Sequence, residues 1–326
     1  MKGMQKLIAG MAISALLAAC GGGGDGGTAS PLSVGATSDG AKSTSVAAGQ
    51  SASLTVESGK EVKLDANQAV TWTATPSKTT ISSPAITEQS WRAALTSPEG
   101  GTVTLKAVSV SNPANSATIT ITVPPHRYAA IAPRVGEAIT FNESNLQLNG
   151  TTVTKPLTYT TTAIANGIAT LVATDATNTV VETYTQDGDR NRLTRSRPPG
   201  TNQCTYAPKR DLYNFPLYVG KTWSPAWTLN CALGYHETAA VNAVVEGFEQ
   251  LSTPAGTLDT LRIRYVVAYT NSNDVNFTTY SENDVCWWST KYGRAVKCQF
   301  DYTYPAGMAD LTYKKTYTQV AASVSP

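Results

Sequence analysis

The chain has 326 residues, with 25 Lys and Arg against 23 Asp and Glu, a formal charge of +2. Only 15% of residues are charged and no basic cluster of domain size occurs, which excludes the electrostatic footprint of a nucleic-acid binder. Thr, Ala and Val dominate over helix-favouring Glu, Lys and Leu, a usage suited to pleated sheets.

Taken in chain order, Lys2 and Lys6 precede an apolar stretch from Leu7 to Ala19. That stretch is too short for a membrane-spanning helix, which needs about 20 apolar residues, and fits the core of a secretory signal peptide. It ends Leu17-Ala18-Ala19-Cys20. This ending resembles the lipobox of bacterial lipoproteins. The resemblance implies cleavage after Ala19 and lipidation of Cys20, with each buried methylene contributing about 0.8 kcal/mol to anchoring. In Gram-negative lipoproteins an aspartate directly after the cysteine retains the protein at the inner membrane. Here Gly21 follows and the first acid is Asp25, so the resemblance implies an outer-membrane address in the cell envelope. Residues 1–19 are expected to be the signal peptide. Residues 20–50, rich in Gly, Ser, Ala and Thr, are expected to be a flexible tether that cannot bury enough apolar surface to fold.

Residues 51–124 alternate with period two, as in Val70-Thr71-Trp72-Thr73-Ala74, Val103-Thr104-Leu105-Lys106-Ala107-Val108 and Ala117-Thr118-Ile119-Thr120-Ile121-Thr122-Val123. Such alternation places one face of each strand in a core, and turn clusters at Asp65-Ala66-Asn67 and Ser111-Asn112-Pro113 separate the strands. The segment resembles the bacterial immunoglobulin-like family, which implies a β-sandwich acting as a spacer or adhesion module, with Trp72 in its core.

Pro124-Pro125-His126 marks a junction, and residues 126–326 again read as strand after strand. Strands are expected at 138–141, 146–148, 157–162, 168–173, 180–185, 239–245, 258–269, 275–280, 285–289, 295–302 and 311–320. About a dozen strands with short connections argue an antiparallel sheet that must curl. The expected fold class is all-β, an immunoglobulin-like sandwich followed by a curved antiparallel sheet or open β-barrel. Phe215-Pro216-Leu217-Tyr218-Val219-Gly220-Lys221-Thr222-Trp223, Val244-Val245-Glu246-Gly247-Phe248-Glu249, Thr253-Pro254-Ala255-Gly256-Thr257-Leu258 and Trp287-Trp288 with Gly293-Arg294-Ala295-Val296-Lys297 resemble the TapB-like group of bacterial envelope proteins. That resemblance implies a shared fold and supplies no catalytic residue.

Beyond Cys20 there are four cysteines, Cys204, Cys231, Cys286 and Cys298, which three pairings can join in an oxidising compartment. Cys286–Cys298 is favoured, because Lys291-Tyr292-Gly293 reads as a turn that folds the two cysteines opposite each other, and Cys204–Cys231 then follows by elimination. Zinc is disfavoured because no close-spaced cysteine pair occurs; no metal and no cofactor are expected.

No catalytic constellation emerges. His126 and His236 are the only histidines, and there is no Gly-x-Ser-x-Gly elbow. Asp187-Gly188-Asp189 resembles the start of a calcium loop, but Arg192 stands where glycine is required, and a hairpin turn explains the same residues. Arg190, Arg192, Arg195 and Arg197 form a run that could offer guanidinium forks to an anion such as a lipid phosphate. A charged edge strand is the plainer explanation. Trp287 and Trp288, as consecutive strand residues, must face opposite sides. One then looks into a concave interior, as a ligand wall or as core, and the other is half covered by a loop on the outside.

The preferred functional expectation is a non-enzymatic envelope binding or interaction module. It meets the membrane through its lipid, its ligand-contacting residues are drawn from Trp287, Trp288, Arg190 and Arg192, and its partner is an apolar small molecule, a glycan or an envelope protein. The alternatives are an enzyme acting on envelope glycans through Glu246, Glu249 or Asp187, which requires two carboxylates facing across a cleft, and a purely structural spacer.

Overall fold

The computed structural model describes residues 30–38, 42–87, 89–197, 202–271, 278–308 and 310–326. The expected signal peptide, and residues 20–29 (Cys20 among them) and 39–41 of the expected tether, lie outside the described residues. All regular elements among the described residues are strands.

The N-terminal part contains β1 (Ser33–Ser38), β2 (Lys42–Ala47), β3 (Ser51–Thr55), β4 (Val62–Ala66), β5 (Val70–Pro76), β6 (Ile81–Ser82), β7 (Ser90–Trp91), β8 (Ala94–Leu95), β9 (Gly101–Ser109) and β10 (Ser116–Val123). Two four-stranded sheets, in the orders β2-β1-β4-β7 and β3-β10-β9-β5, share one buried core. The alternation of β10 does what its pattern requires: Ala117, Ile119, Ile121 and Val123 are all buried.

The expected tether is shortened at its C-terminal end. β1 and β2 fall inside residues 20–50, and Leu32, Val34, Ala36 and Val46 belong to the core. The small side chains of this stretch hide its alternation, and pairing of β1 between β2 and β4 supplies the partner surface that a tether would lack. Trp72 is half-buried and packs on this core, whereas Trp91 is fully within it.

The remaining strands are β11 (Ala138–Gln147), β12 (Thr152–Ala165), β13 (Ile168–Thr174), β14 (Val180–Gln186), β15 (Arg192–Arg197), β16 (Asn202–Arg210), β17 (Thr222–Trp223), β18 (Ala226–Cys231), β19 (His236–Thr253), β20 (Gly256–Asn271), β21 (Thr279–Ser289), β22 (Arg294–Thr303) and β23 (Lys314–Ser325). Each pairs antiparallel with its successor, except that β17 and β18 lie in turn along one edge of β19 and β16 pairs with β18. β11 then pairs with β23, so twelve strands close into an up-and-down barrel. The expected curved sheet or open barrel is corrected accordingly. Closure removes the two edges that an open sheet would leave unpaired.

Register assigns the faces. Asn242, Val266, Asn283 and Asp301 are paired across β19 to β22 and share the outer face, as do Thr238 and Thr270. These outer-face positions are polar apart from the exposed Val266. One residue along, Ala243, Tyr265, Asp284 and Phe300 form an inner rung, followed by Val241, Val267, Glu282 and Tyr302.

Disulfides join Cys204 to Cys231 between β16 and β18, and Cys286 to Cys298 between β21 and β22. Both pairs are directly opposed across their strands. Gly293 turns the second hairpin at φ +64°, and a Cβ there would sit 2.3 Å from Ile131 Cβ, so both conformation and space require glycine.

Candidate functional site

One end of the barrel is filled by the chain itself. The segment after β16 folds inward: Tyr265 donates its hydroxyl to the Leu212 carbonyl at 2.9 Å, and Asn191 exchanges two bonds with the Tyr213 backbone at 2.9 and 3.1 Å. Phe215 packs on Trp288 with ring centres 5.7 Å apart, and Leu217 is completely buried. Tyr128, from the segment before β11, pairs by backbone with Leu217 and meets the edge of Trp288 at 6.2 Å. These residues make an apolar floor.

Above the floor lies a cavity of about 860 Å³. Its lining is polar and aromatic. The β20–β22 wall contributes Tyr265, Tyr269, Tyr280, Tyr302, Phe300, Glu282 and Asp284, and the β14–β16 wall contributes Tyr184, Tyr206, Arg192, Arg195 and Arg210. Tyr304 and Tyr313, from the connection between β22 and β23, stand at the other end with Lys314.

The tyrosines are organised as a ladder. Tyr269 and Tyr280 stack at 4.4 Å with planes 9° apart, Tyr280 stacks on Tyr304 at 5.8 Å, and Tyr304 on Tyr302 at 6.1 Å. Stacking turns ring edges and hydroxyls towards the lumen and ties them to acids: Tyr235 and Tyr280 both donate to Glu237, at 2.6 and 2.8 Å, and Tyr269 donates to Glu282 at 3.1 Å.

Glu282 and Asp284 follow one another along the inner face of β21, and both carboxyls titrate above their ordinary range. Burial is the main cause for each. For Asp284 the charge of Glu282 adds to it while Arg210 opposes it. For Glu282, Arg210 and the Tyr269 bond pull in the opposite direction. A carboxyl whose folded pKa is raised contributes its stability fully below the unfolded value. That contribution is lost as pH climbs through the folded value. Asp284→Asn is therefore expected to raise the melting temperature more at pH 8 than at pH 4.5. An equal change at both would show that Asp284 carries no retained proton.

The sequence-selected residues separate cleanly. Trp288 is inward and wholly buried in the floor, opposite Leu261 in the register. Trp287 points outward, hydrogen-bonds Glu249 of β19 and lies under Lys297, whose Nζ is 4.5 Å from its ring centre. It packs on the outer side of the wall, against Leu251, Ala255 and Leu258 of the long β19–β20 hairpin, and does not line the cavity. Arg190 is also a structural residue. It is 6% exposed and bidentate to Glu137 at 2.6 and 2.9 Å, with a further bond to the Ile131 carbonyl at 3.1 Å. Arg192 faces the cavity, stacked over Tyr184 with Cζ 4.3 Å from the ring centre.

Two expectations about charge are corrected. β15 is no edge strand, because it is paired on both sides by β14 and β16, so its arginines do not serve to block edge pairing. Glu246, Glu249 and Asp187 face no common cleft. Glu246 is held by Arg262 and Arg264, Glu249 bonds Trp287, and Asp187 pairs with Lys209 at 2.6 Å while its other oxygen accepts from two backbone amides of its turn. Arg264, opposed by partial burial and aided by Arg262, holds the Glu246 carboxyl below its ordinary range, the opposite of what a general acid needs.

The sequence reading had Arg195 in its arginine run but passed over Arg210, Glu282, Asp284 and the tyrosine ladder. A usable signal existed in β21, where Tyr280, Glu282, Asp284, Cys286 and Trp288 occupy every second position.

No family model matches the chain, and no curated protein matches it. Among solved structures it is similar to a protein provisionally described as exported, with a YmcC-like fold, from Bacteroides fragilis, at 14% identity and TM-score 0.38, covering 61% of this chain and 100% of that one. A protein provisionally described as a lipoprotein from Parabacteroides distasonis gives 14% identity and TM-score 0.36, covering 60% and 99%. The hypothetical lipoprotein YmcC from Escherichia coli gives 9% identity and TM-score 0.35, covering 59% and 85%. These are distant likenesses, and they leave the functional reading to this chain's own residues.

Proposed function

We propose that the protein is a lipid-anchored cell-envelope binding module whose barrel lumen takes up a small polar molecule. The observation that carries this is the cavity of about 860 Å³, floored at one end and lined by polar groups that the protein leaves unused. Its size lies in the range of small-molecule sites, about 300–1,000 Å³. Asp284 Oδ1, Arg210 Nε, Gln186 Nε2 and Asn145 Oδ1 are buried around it without a hydrogen bond to another protein group. Buried polar groups are normally satisfied, at a cost of about 1–3 kcal/mol each when they are not. A purely structural spacer would fill its barrel with its own side chains. The charged and hydroxyl-edged lining also favours a polar ligand over the apolar small molecule that stood among the three partner classes expected from sequence.

Anchoring through Cys20, an outer-membrane address, an immunoglobulin-like spacer role for the N-terminal sheets and a TapB-like assignment of the barrel belong to the same proposal. They rest on the sequence resemblances. In this arrangement the N-terminal sheets hold the barrel away from the bilayer.

The test is mass spectrometry of the full protein purified from its own membranes in mild detergent. The denatured mass is expected to show cleavage before an acylated Cys20, and the native mass to exceed it by one small molecule. An intact, unacylated N-terminus would overturn the anchoring, and equal native and denatured masses would count against lumen binding.

A further inference from the structure

We infer that the lumen contains an anion subsite formed by Arg192, Arg195 and Arg210, and that its ligand carries a phosphate or carboxylate. This rests on the lumen-binding reading above and names the chemical class of the ligand.

The argument begins with how the three side chains are held. Arg192 and Arg210 come from neighbouring strands and are paired in the β15–β16 register, and Arg195 lies further along β15 on the same wall. Arg192 is stacked on Tyr184, and Arg210 lies over Trp227 with Cζ 5.3 Å from the ring centre. Stacking occupies the face of a guanidinium and leaves its N–H donors, which lie in the plane, free to point elsewhere. None of the three donates a side-chain hydrogen bond among the described residues, and Arg210 Nε is buried without an acceptor. The closest acid to Arg195 is Glu182, with Arg195 Nε 3.9 Å from its Oε1, a distance at the limit of an ion pair.

Contrast with Arg190 makes the point sharper. Only two positions before Arg192, it is neutralised by a bidentate carboxylate, so the fold supplies a counter-ion where an arginine is structural. At Arg192 and Arg210 it supplies aromatic planes to orient the groups, and at none of the three a carboxylate within hydrogen-bond distance, the charges of Glu182, Glu282 and Asp284 acting from further away. Several planar, pre-oriented forks converging in a lumen are what bidentate recognition of a phosphate or carboxylate requires. The carboxyls of Glu282 and Asp284 on the facing wall are held above their ordinary range mainly by burial, and Glu282 also accepts from Tyr269, which weakens their hold on Arg210. The tyrosine ladder beside them offers ring edges to the uncharged remainder of the ligand.

The experiment is thermal melting of the full-length protein titrated with inorganic phosphate, ionic strength held constant with chloride. A saturable rise in melting temperature is expected. The apparent affinity should fall at least about tenfold in Arg192→Gln and in Arg210→Gln, the loss of a charge-assisted bond or more. Arg192→Lys, which keeps the charge but not the fork, should fall between, and Arg262→Gln on the outer wall should match the parent protein. A rise that is linear, unsaturated and equal in all variants would reflect general salt stabilisation alone and would overturn the subsite. So would glucose acting as strongly as phosphate. Extraction of a co-purifying molecule separates the sources: a phosphorus-bearing species in chloroform is an acylated phosphate, an acid remaining in water is a soluble metabolite, and either supports the inference. A neutral co-purifying molecule would overturn the inference while leaving lumen binding intact.

Discussion

Glu137→Ala is expected to destabilise the protein by about 3–5 kcal/mol, the usual cost of removing one partner from a buried ion pair. Glu137 and Arg190 are each 6% exposed, and their two bonds join the start of the barrel to the β14–β15 turn. Arg294 Nη1 also lies 3.8 Å from the same carboxylate, so the substitution strands two buried cations. Arg190 would retain only the carbonyls of Ile131 and Ala132. Much of the cost is the uncompensated charge, so replacing both partners, Glu137→Leu with Arg190→Met, is expected to be milder than the single change. Chemical denaturation of the three variants measures this. The acid limb gives an independent check. Burial pushes the Glu137 carboxyl up, but the Arg190 bond and the charges of Arg190 and Arg294 outweigh it and hold the group below its ordinary range. Its stabilisation is therefore present above the ordinary glutamate pKa and is lost as pH falls through the folded value. Glu137→Ala should flatten the stability profile in that window.

Trp288→Ala is expected to cost a similar amount, about 3–5 kcal/mol, by opening a cavity in the floor. The ring is completely buried and braces Phe215 and Tyr128, which close the floored end from two different segments. Trp287→Ala, one residue earlier, removes a half-buried outward ring and should cost clearly less. Equal losses would mean that the two faces of β21 are packed alike, contrary to the register. Because Trp288 sits beneath the lumen, its removal should also weaken whatever stabilisation a bound ligand provides, whereas Trp287→Ala should leave it unchanged.

What the sequence revealed follows from how far each signal reaches along the chain. The strand Ser116–Val123 and the hairpin carrying Cys286 and Cys298 were legible because alternation and a Gly293 turn are local features. β16 and β18 were not anticipated, and β15 was expected only as a charged edge strand, although β15 and β16 carry the arginine wall. Arg192, Arg195, Arg210 and Tyr206 occupy inward positions there, so the polar residues sit where a pattern search looks for apolar ones. A polar lumen thus inverts the signal at the very segment that matters for binding. β1 was missed for a different reason. Val34 and Ala36 are too small to announce a core, and their burial depends on β4, distant in sequence. Closure was invisible because it depends on Ala138 meeting Ser325, a pairing between the two ends of the barrel domain. The Trp287-Trp288 pair shows the converse: strand geometry alone dictated opposite faces, and only the structure could say that the inward one is floor.

The most direct measurement is a high-resolution crystal structure of the protein purified from its native cells without a refolding step. Lumen binding predicts continuous, non-water density between the tyrosine ladder and Arg210, with an anionic group within hydrogen-bond distance of Arg192 or Arg210. A lumen holding only separate ordered waters, with Asp284 Oδ1 and Arg210 Nε satisfied by them, would contradict it.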